Sequence, residues 1–400
     1  MSSTDWRSEW LSHCLADTAA RGLTRRRRLV SDYAREHSSV EACVDGQHVL
    51  SFCSNDYLGL ARHPAVVAAW QKTATRYGVG SGASHLVTGH HTEHHLLEEA
   101  LANFTQRERA VLFSTGYMAN LAVSTVFASR TDVIYSDERN HASLIDGARL
   151  SGARIARYPH RDTATLEHLL RDRTEPRALL LTDGLFSMDG TVAPLATLSS
   201  LCNAAQVWLA VDDAHGLGVL GAHGRGSIEH SGLTALDVPI LIGTLGKAFG
   251  TFGAFVAGSN DLCELLIQHA RTHIFTTALP SAVAAAARAA LEVSIEEPWR
   301  RERLAAHVER FRAGCSALHL PLMDSVTPIQ PIILGSNQAA MEASNHLLTH
   351  GILVSAIRPP TVPNDTARLR ITFSAAHATD DVDRLLEVLA TLPSIPRSSA

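Results

Sequence analysis

Between residues 95 and 257 the chain alternates two patterns, and this limits the possible folds more than any other feature. Helical periods ("LLEEALANF", "GYMANLAVSTVFAS", "HASLIDGARL", "ATLEHLLRD", "LATLSSLCNAAQ") take turns with short apolar runs ("RAVLF", "DVIYS", "RIARY", "ALLLTD", "VWLAVDD"), and "VPILIGT" and "GAFVAG" follow. Apolar strands joined by crossover helices predict an α/β fold with a mostly parallel sheet covered on both faces. Chemistry in such sheets collects at the carboxyl ends of the strands.

The flanks add smaller pieces. Residues 1–35 read as a helical arm, and "EACVDGQHVLSFCS" as a hairpin around an Asp-Gly turn. After the alanine-rich "SAVAAAARAALEVSIEEP", the pattern is helix, strand "PIQPIIL", helix, strands "ILVSAI" and "ARLRITF", and helix "DDVDRLLEVLATL". The expected division is an arm and hairpin over 1–50, a large domain over 51–289 and a smaller C-terminal α/β domain over 290–400. For 400 residues, one large and one small domain is the ordinary expectation.

Composition narrows the function. A net charge of −5 speaks against nucleic acid or an anionic membrane as partner, and the tetrad "RRRR" at 25–28 reads as a solvated helix end carrying one or two functional arginines. No apolar run approaches the roughly 18 residues of a membrane span, and the N-terminus lacks signal-peptide character. The six cysteines (14, 43, 53, 202, 263 and 315) form no C-x-x-C pair, which fits a reducing cytoplasm.

Three motifs fail on inspection. "GLGVLG" (Gly216, Gly218, Gly221) follows a strand but opens no helix, so a dinucleotide fingerprint is not expected. "GTLGKA" lacks Walker spacing. "HHTEHH" at 90–95 lacks the H-E-x-x-H order, and no metal is expected there.

What remains is a set of polar residues at strand ends. Asp212 closes "VWLAVD", with His215 three residues on, and Ser187 follows "LLLTD". His141 opens a helix after "VIYS", and Gly116 and Tyr117 stand at a strand-to-helix turn suited to phosphate. Thr244 and Lys247 lie in "LIGTLGKAFG", where no acid pairs the lysine. Together these suit pyridoxal 5′-phosphate (PLP): a lysine for a Schiff base, and an aspartate to keep the pyridine nitrogen protonated. The lysine must be neutral to attack the aldehyde, which poor solvation favours. The glycines around Lys247 are expected to let backbone approach the cofactor.

At these residues the chain resembles the α-oxoamine synthases, PLP enzymes of the aspartate-aminotransferase fold (fold type I). The likeness runs through "SNDYLGL", "GSGASHLVTG", "FSTGYMAN", "DERNHASLIDG", "FSMDG", "DDAHGLGVLG", "TLGKAFG", "FTTALP" and "RLRITFSAAH", from about residue 50 to 377. "AIRPPTVP", "IQPIILG" and "ARLRITFSAAH" tip it toward the branch that joins L-alanine to a pimeloyl thioester, on CoA or acyl-carrier protein, in biotin synthesis. The alternative is a sister such as 2-amino-3-ketobutyrate CoA ligase, which uses glycine and acetyl-CoA.

The resemblance implies roles by position. Lys247 carries the cofactor and shuttles the α-proton, His141 stacks on the ring, and Asp212 pairs with its nitrogen. His215 and Ser187 bond the phenolic oxygen, and Gly116, Tyr117 and Thr244 hold the phosphate. Thr276 and Thr277 reach the phosphate of the neighbouring subunit in a homodimer with shared sites. Arg370 binds the amino-acid carboxylate, Thr361 lies near substrate, and Arg25, or Arg26 beside it, stands near the acyl group. Ala83, His85 and Cys53 depart from the usual glycine, arginine or glycine, and serine, without touching the cofactor set.

Overall fold

The structure is a computed structural model and describes residues 5–21 and 23–392. The outer ends of the expected arm and C-terminal domain, residues 1–4 and 393–400, lie outside the described residues. The strands are β1 (Val30–Tyr33), β2 (Glu41–Val44), β3 (Gln47–Ser51), β4 (Arg109–Phe113), β5 (Val133–Asp137), β6 (Arg154–Tyr158), β7 (Ala178–Asp183), β8 (Trp208–Asp212), β9 (Ile240–Thr244), β10 (Ala254–Gly258), β11 (Ile329–Gly335), β12 (Ile352–Leu353), β13 (Ser355–Ile357) and β14 (Ala367–Thr372).

The central sheet has seven strands in the order β4-β10-β9-β8-β7-β5-β6. β5 to β9 pair in parallel, and β10 runs antiparallel to both β9 and β4. Successive side chains feed two separate apolar clusters. Leu180, Leu209, Val211, Leu241 and Phe255 join one, while Leu179, Leu181, Ala210, Ile240 and Ile242 join the other. Period-2 alternation between two buried faces explains why these strands read as unbroken apolar runs. Each large side chain so buried contributes about 1.5–3 kcal/mol.

The hairpin forms as expected: Asp45 and Gly46 both take positive φ (52° and 82°), the requirement of a type I′ turn. It also reaches across the chain, because β3 pairs in parallel with β12, giving a sheet β1-β2-β3-β12. The C-terminal segment adds an antiparallel sheet β11-β14-β13. The stretch 52–57 bridges these sheets to the centre: Phe52 N–H donates to Leu353 O (2.9 Å), Thr372 N–H to Phe52 O (2.9 Å) and Ala375 N–H to Tyr57 O (2.7 Å).

The arm corrects the expectation of a helix over 1–35. Its helix is Trp6–Ala20, capped by Asp5, and the chain then extends into β1. Four adjacent arginines offer no apolar face for a helix to bury, and β1 instead pairs along the edge of the hairpin. Of the parallel strands, β5, β7, β8 and β9 end in Asp137, Asp183, Asp212 and Thr244, so their carboxyl ends present a polar row, while β6 at the sheet edge ends in Tyr158.

Candidate active site

Lys247 lies in the loop between β9 and β10. Leu245 N–H donates to Gly253 O, Thr251 N–H to Leu245 O and Gly250 N–H to Lys247 O, each at 2.8–2.9 Å, so the loop is closed on itself. The expectation that its glycines admit the cofactor needs correction at Gly250. There φ is +63°, and a Cβ would stand 2.2 Å from the backbone nitrogen of Ala61. Gly250 makes room for the 60–61 backbone.

Lys247 is half-buried, with its ammonium deep among protein atoms. Burial lowers its pKa from 10.5 to about 8, Asp212 and Asp183 oppose the fall, and Arg370 adds to it. These three charges therefore lie within electrostatic reach of the amine. His141 feels Asp212 and Lys247, and His215 feels Lys247, Arg370 and His141. The strand ends thus bring together the groups that the sequence scatters over 230 positions, from His141 to Arg370.

Asp212 is buried and held at both oxygens: Oδ1 accepts from Ala214 N–H (3.0 Å) and Oδ2 from Asn120 Nδ2 (2.6 Å). The same Asn120 amide donates to Ser143 Oγ (2.8 Å), and Ser143 Oγ sits 2.7 Å from His141 Nδ1. Ser143 N–H also donates to His141 Nδ1 (3.3 Å). With Asn120 donating into Ser143 Oγ, the hydroxyl proton goes to His141 Nδ1. That ring nitrogen is then an acceptor, and a neutral His141 carries its proton on Nε2. His141 opens to the cleft, yet the protein around it pushes its pKa down, burial first, with Lys247 adding and Asp212 opposing.

Asp183 sits opposite Asp212 across the β7–β8 ladder and accepts from His141 N–H at 2.7 Å. Burial, then the charge of Asp212, pushes its carboxyl well above the usual range, against the His141 N–H and the charge of Lys247. His215 is buried beside the fully buried Tyr57, whose hydroxyl is 2.7 Å from Nδ1. Burial holds the imidazole far below its ordinary pKa, so it is neutral. Arg370 Nε donates to the carbonyl of Ser187 (2.6 Å), and its Nη2 donates to Asn55 Oδ1 (3.3 Å). Among the described residues no carboxylate forms an ion pair with Arg370, although its side chain is buried.

At the phosphate end, Thr115 caps the helix Gly116–Phe127 through Met118 N–H (3.2 Å). First-turn N–H groups have no partner within a helix, and the space where a Gly116 Cβ would project is open to 4 Å. Tyr117 is exposed and donates its hydroxyl to Asp146, while Thr244 Oγ1 donates to Gly253 O (3.1 Å).

His141, Ser187 and Thr361 share a cleft of about 850 Å³ with Arg139, Arg157 and Phe186. Thr276 and Thr277 lie on the loop after the short helix Arg271–Ile274, Thr276 half-buried and Thr277 exposed. Arg25 and Arg26 are exposed after the arm helix. Arg21 and Leu23, rather than they, line a second cleft against Pro359, Pro360 and Val362.

Sequence reasoning missed Asn120, Asp183, Tyr57 and Asn55. Two of them had a readable signal: Asn120 follows Gly116 by one helical turn, and Asp183 ends its strand as Asp212 does. The glycines of "GLGVLG" and its neighbours also gain a reason. A Cβ on Gly216 or Gly226 would lie 2.1 or 1.9 Å from a carboxylate oxygen of Asp213. The loop wraps a buried acid whose pKa burial raises to about 7.

The set fits PLP: a desolvated amine, a buried oriented carboxylate within electrostatic reach of it, and an open helix N-terminus for a phosphate. Comparison with known proteins agrees. The profile of aminotransferase class I and II matches residues 47–389. The 8-amino-7-oxononanoate synthase of Methylococcus capsulatus is 56% identical over 376 residues, covering 94% of this chain and 96% of the relative. The serine palmitoyltransferase of S. paucimobilis, solved with a bound PLP–myriocin aldimine, superposes with a TM-score of 0.90 at 28% identity over 97% of this chain and 98% of the other. The 8-amino-7-oxononanoate synthase of Francisella tularensis gives 0.75 at 33% identity over 86% and 97%. With the fold, the site chemistry and these similarities in agreement, the chain belongs to the class I and II aminotransferase family and, within it, to the 8-amino-7-oxononanoate synthases.

Proposed function

We propose that the chain condenses L-alanine with a pimeloyl thioester, on CoA or acyl-carrier protein, to give 8-amino-7-oxononanoate, CO₂ and the free thiol. The observation that carries this reading is a lysine whose desolvated amine has a lowered pKa, within electrostatic reach of a carboxylate fixed at both oxygens. When bound, PLP supplies the electron sink that stabilises negative charge at the α-carbon of the amino acid.

The residues then act as follows. Lys247 Nζ, neutral in an appreciable fraction near pH 8, would hold the cofactor through its aldehyde and would be the base for the α-proton. Asp212 holds a proton at the ring nitrogen, and Asn120 and Ala214 stop it turning away. His141 is oriented by Ser143 and the Asp183 carboxylate and would lie against the cofactor ring. His215, braced by Tyr57, and Ser187 bond the phenolic oxygen. Gly116, Tyr117 and Thr244 take the phosphate. Among the described residues Arg370 pairs with no acid, which leaves its guanidinium for the alanine carboxylate. The cleft with Thr361 accommodates the acyl chain, and Arg25 or Arg26 approaches its far end.

Thr276 and Thr277, on a loop with Thr277 exposed, would complete the partner's phosphate site in a homodimer. All six cysteines are free, which fits a reducing cytoplasm. Among the described residues no helix is long and apolar enough to cross a membrane. The residue ranges 1–50, 51–289 and 290–400 serve as working domain bounds, with β3–β12 pairing joining the first to the last.

The test is product identification. Enzyme, PLP, L-alanine and pimeloyl-CoA should yield 8-amino-7-oxononanoate by mass spectrometry. Turnover of glycine with acetyl-CoA, and none of alanine, would move the chain to the sister branch.

A further inference from the structure

The histidine-rich stretch after residue 84 takes no part in the site above, and the fold gives it a geometry that its sequence order conceals. His91 caps the helix Thr92–Phe104, so His90 precedes the helix while His95 and Glu98 share one face of it, three residues apart. One ligand atom from each of His90, His95 and Glu98 falls within 4.8 Å of the other two. A tetrahedral zinc with bonds of about 2.0–2.2 Å separates its ligand atoms by roughly 3.4 Å, so small side-chain rotations close the set.

The surroundings already orient two of the three. Glu98 Oε1 accepts from Leu112 N–H (2.9 Å), which leaves Oε2 facing His90 Nε2 at 3.9 Å. His90 Nδ1 is 2.9 Å from His85 Nδ1. With the shared proton on His90 Nδ1, the lone pair of its Nε2 faces the carboxylate, the arrangement in which a histidine binds metal while its other nitrogen bonds a neighbour. Beside the set is a pocket of about 330 Å³ that also holds Glu99, Glu108 and Arg109. Arg109 is already paired with Glu264 (2.8 Å).

We propose that His90, His95 and Glu98 form a divalent transition-metal site of the zinc type, with its fourth position open to the adjoining pocket. Two histidines and a carboxylate are a borderline-soft N₂O set that favours zinc over magnesium or calcium. The helix that carries His95 and Glu98 is held to the segment after Thr276 and Thr277 by other histidines: His94 Nε2 is 2.6 Å from Leu279 O and His91 Nδ1 is 2.5 Å from Ser281 Oγ.

The experiment uses the full chain loaded with PLP, stripped of trace metal, and titrated with Zn²⁺ alone by calorimetry and thermal melting. Saturable binding of one zinc per chain and a zinc-dependent rise in Tm are expected. His95→Ala should weaken binding by more than about 100-fold and abolish the rise in Tm, and His85→Phe should weaken it by about 10–100-fold by freeing the His90 ring. The His95 side chain is 63% exposed, so His95→Ala should fold and keep both the visible absorbance of the cofactor and the activity with alanine. Absence of saturable binding, or binding equally tight in wild type, His90→Ala and His95→Ala, overturns the site.

Discussion

The pKa of Lys247 decides how readily the chain captures its cofactor, and pH is the perturbation that reads it. Burial takes the amine from 10.5 to about 8. That fall of about 2.5 units, or roughly 3.4 kcal/mol, raises the neutral fraction at pH 7 from about one in 3,000 to about one in ten, a gain of roughly 300-fold. The assay is the rate at which the apo chain, mixed with PLP, develops the visible band of the covalently attached cofactor. The rate should climb about tenfold per pH unit up to about 8 and then level off. Asp212 is the first of the charges that oppose the fall, so Asp212→Asn should move the break below 8. It should also cost most of the catalytic activity. A rate that climbs unbroken to pH 10, or a break in Asp212→Asn above that of wild type, refutes the electrostatic argument. The same shift fixes the sign of a stability effect. The folded amine holds its proton less tightly than the unfolded one, so the penalty is fully present below about pH 8 and fades as pH rises toward 10.5. Lys247→Met should therefore raise the Tm of the apo chain at pH 7 and lose that advantage near pH 10.

Two further outcomes follow from the hydrogen bonds. Asn120→Ala strips Asp212 Oδ2 of its 2.6 Å donor and unhooks Ser143 from it, so it should lower stability in urea by about 1–3 kcal/mol and slow turnover, with unchanged stability and rate as the contrary result. Arg370→Lys loses the planar fork, and the KM for alanine should rise by roughly 10–150-fold, the equivalent of about 1.5–3 kcal/mol, with little change in the KM for the thioester; an equal rise in both would remove Arg370 from the carboxylate.

Physical reasons separate what the sequence displayed from what it hid. β5 and β7 to β10 were legible because both faces of each are covered, which forces near-continuous apolar runs, and Asp212, His215, Thr244 and Lys247 were legible because they punctuate those runs. β1 was not, because "VSDY" is exposed along its whole length and shows no period of two. β12 is two residues long and exists only because β3, some 300 positions earlier, is there to pair with it. Tyr57 and Asn55 belong to the site through tertiary contacts with His215 and Arg370 alone. The phosphate turn at Gly116 was visible as a strand-to-helix junction, whereas the Asp212–Asn120–Ser143–His141 chain needs two helices and a strand end in register. Likewise, His90, His95 and Glu98 match no familiar spacing because one ligand precedes the helix that carries the other two.

The central claim is that one amine holds the cofactor, and the chain permits an unusually clean test because Lys72 and Lys247 are its only lysines. Lys72 lies exposed on the helix Pro64–Tyr77. Borohydride reduction of the PLP-loaded protein, followed by peptide mass spectrometry, should place the pyridoxyl group on Lys247 and leave Lys72 unmodified. A label on Lys72, or a chain that retains none, would contradict the account.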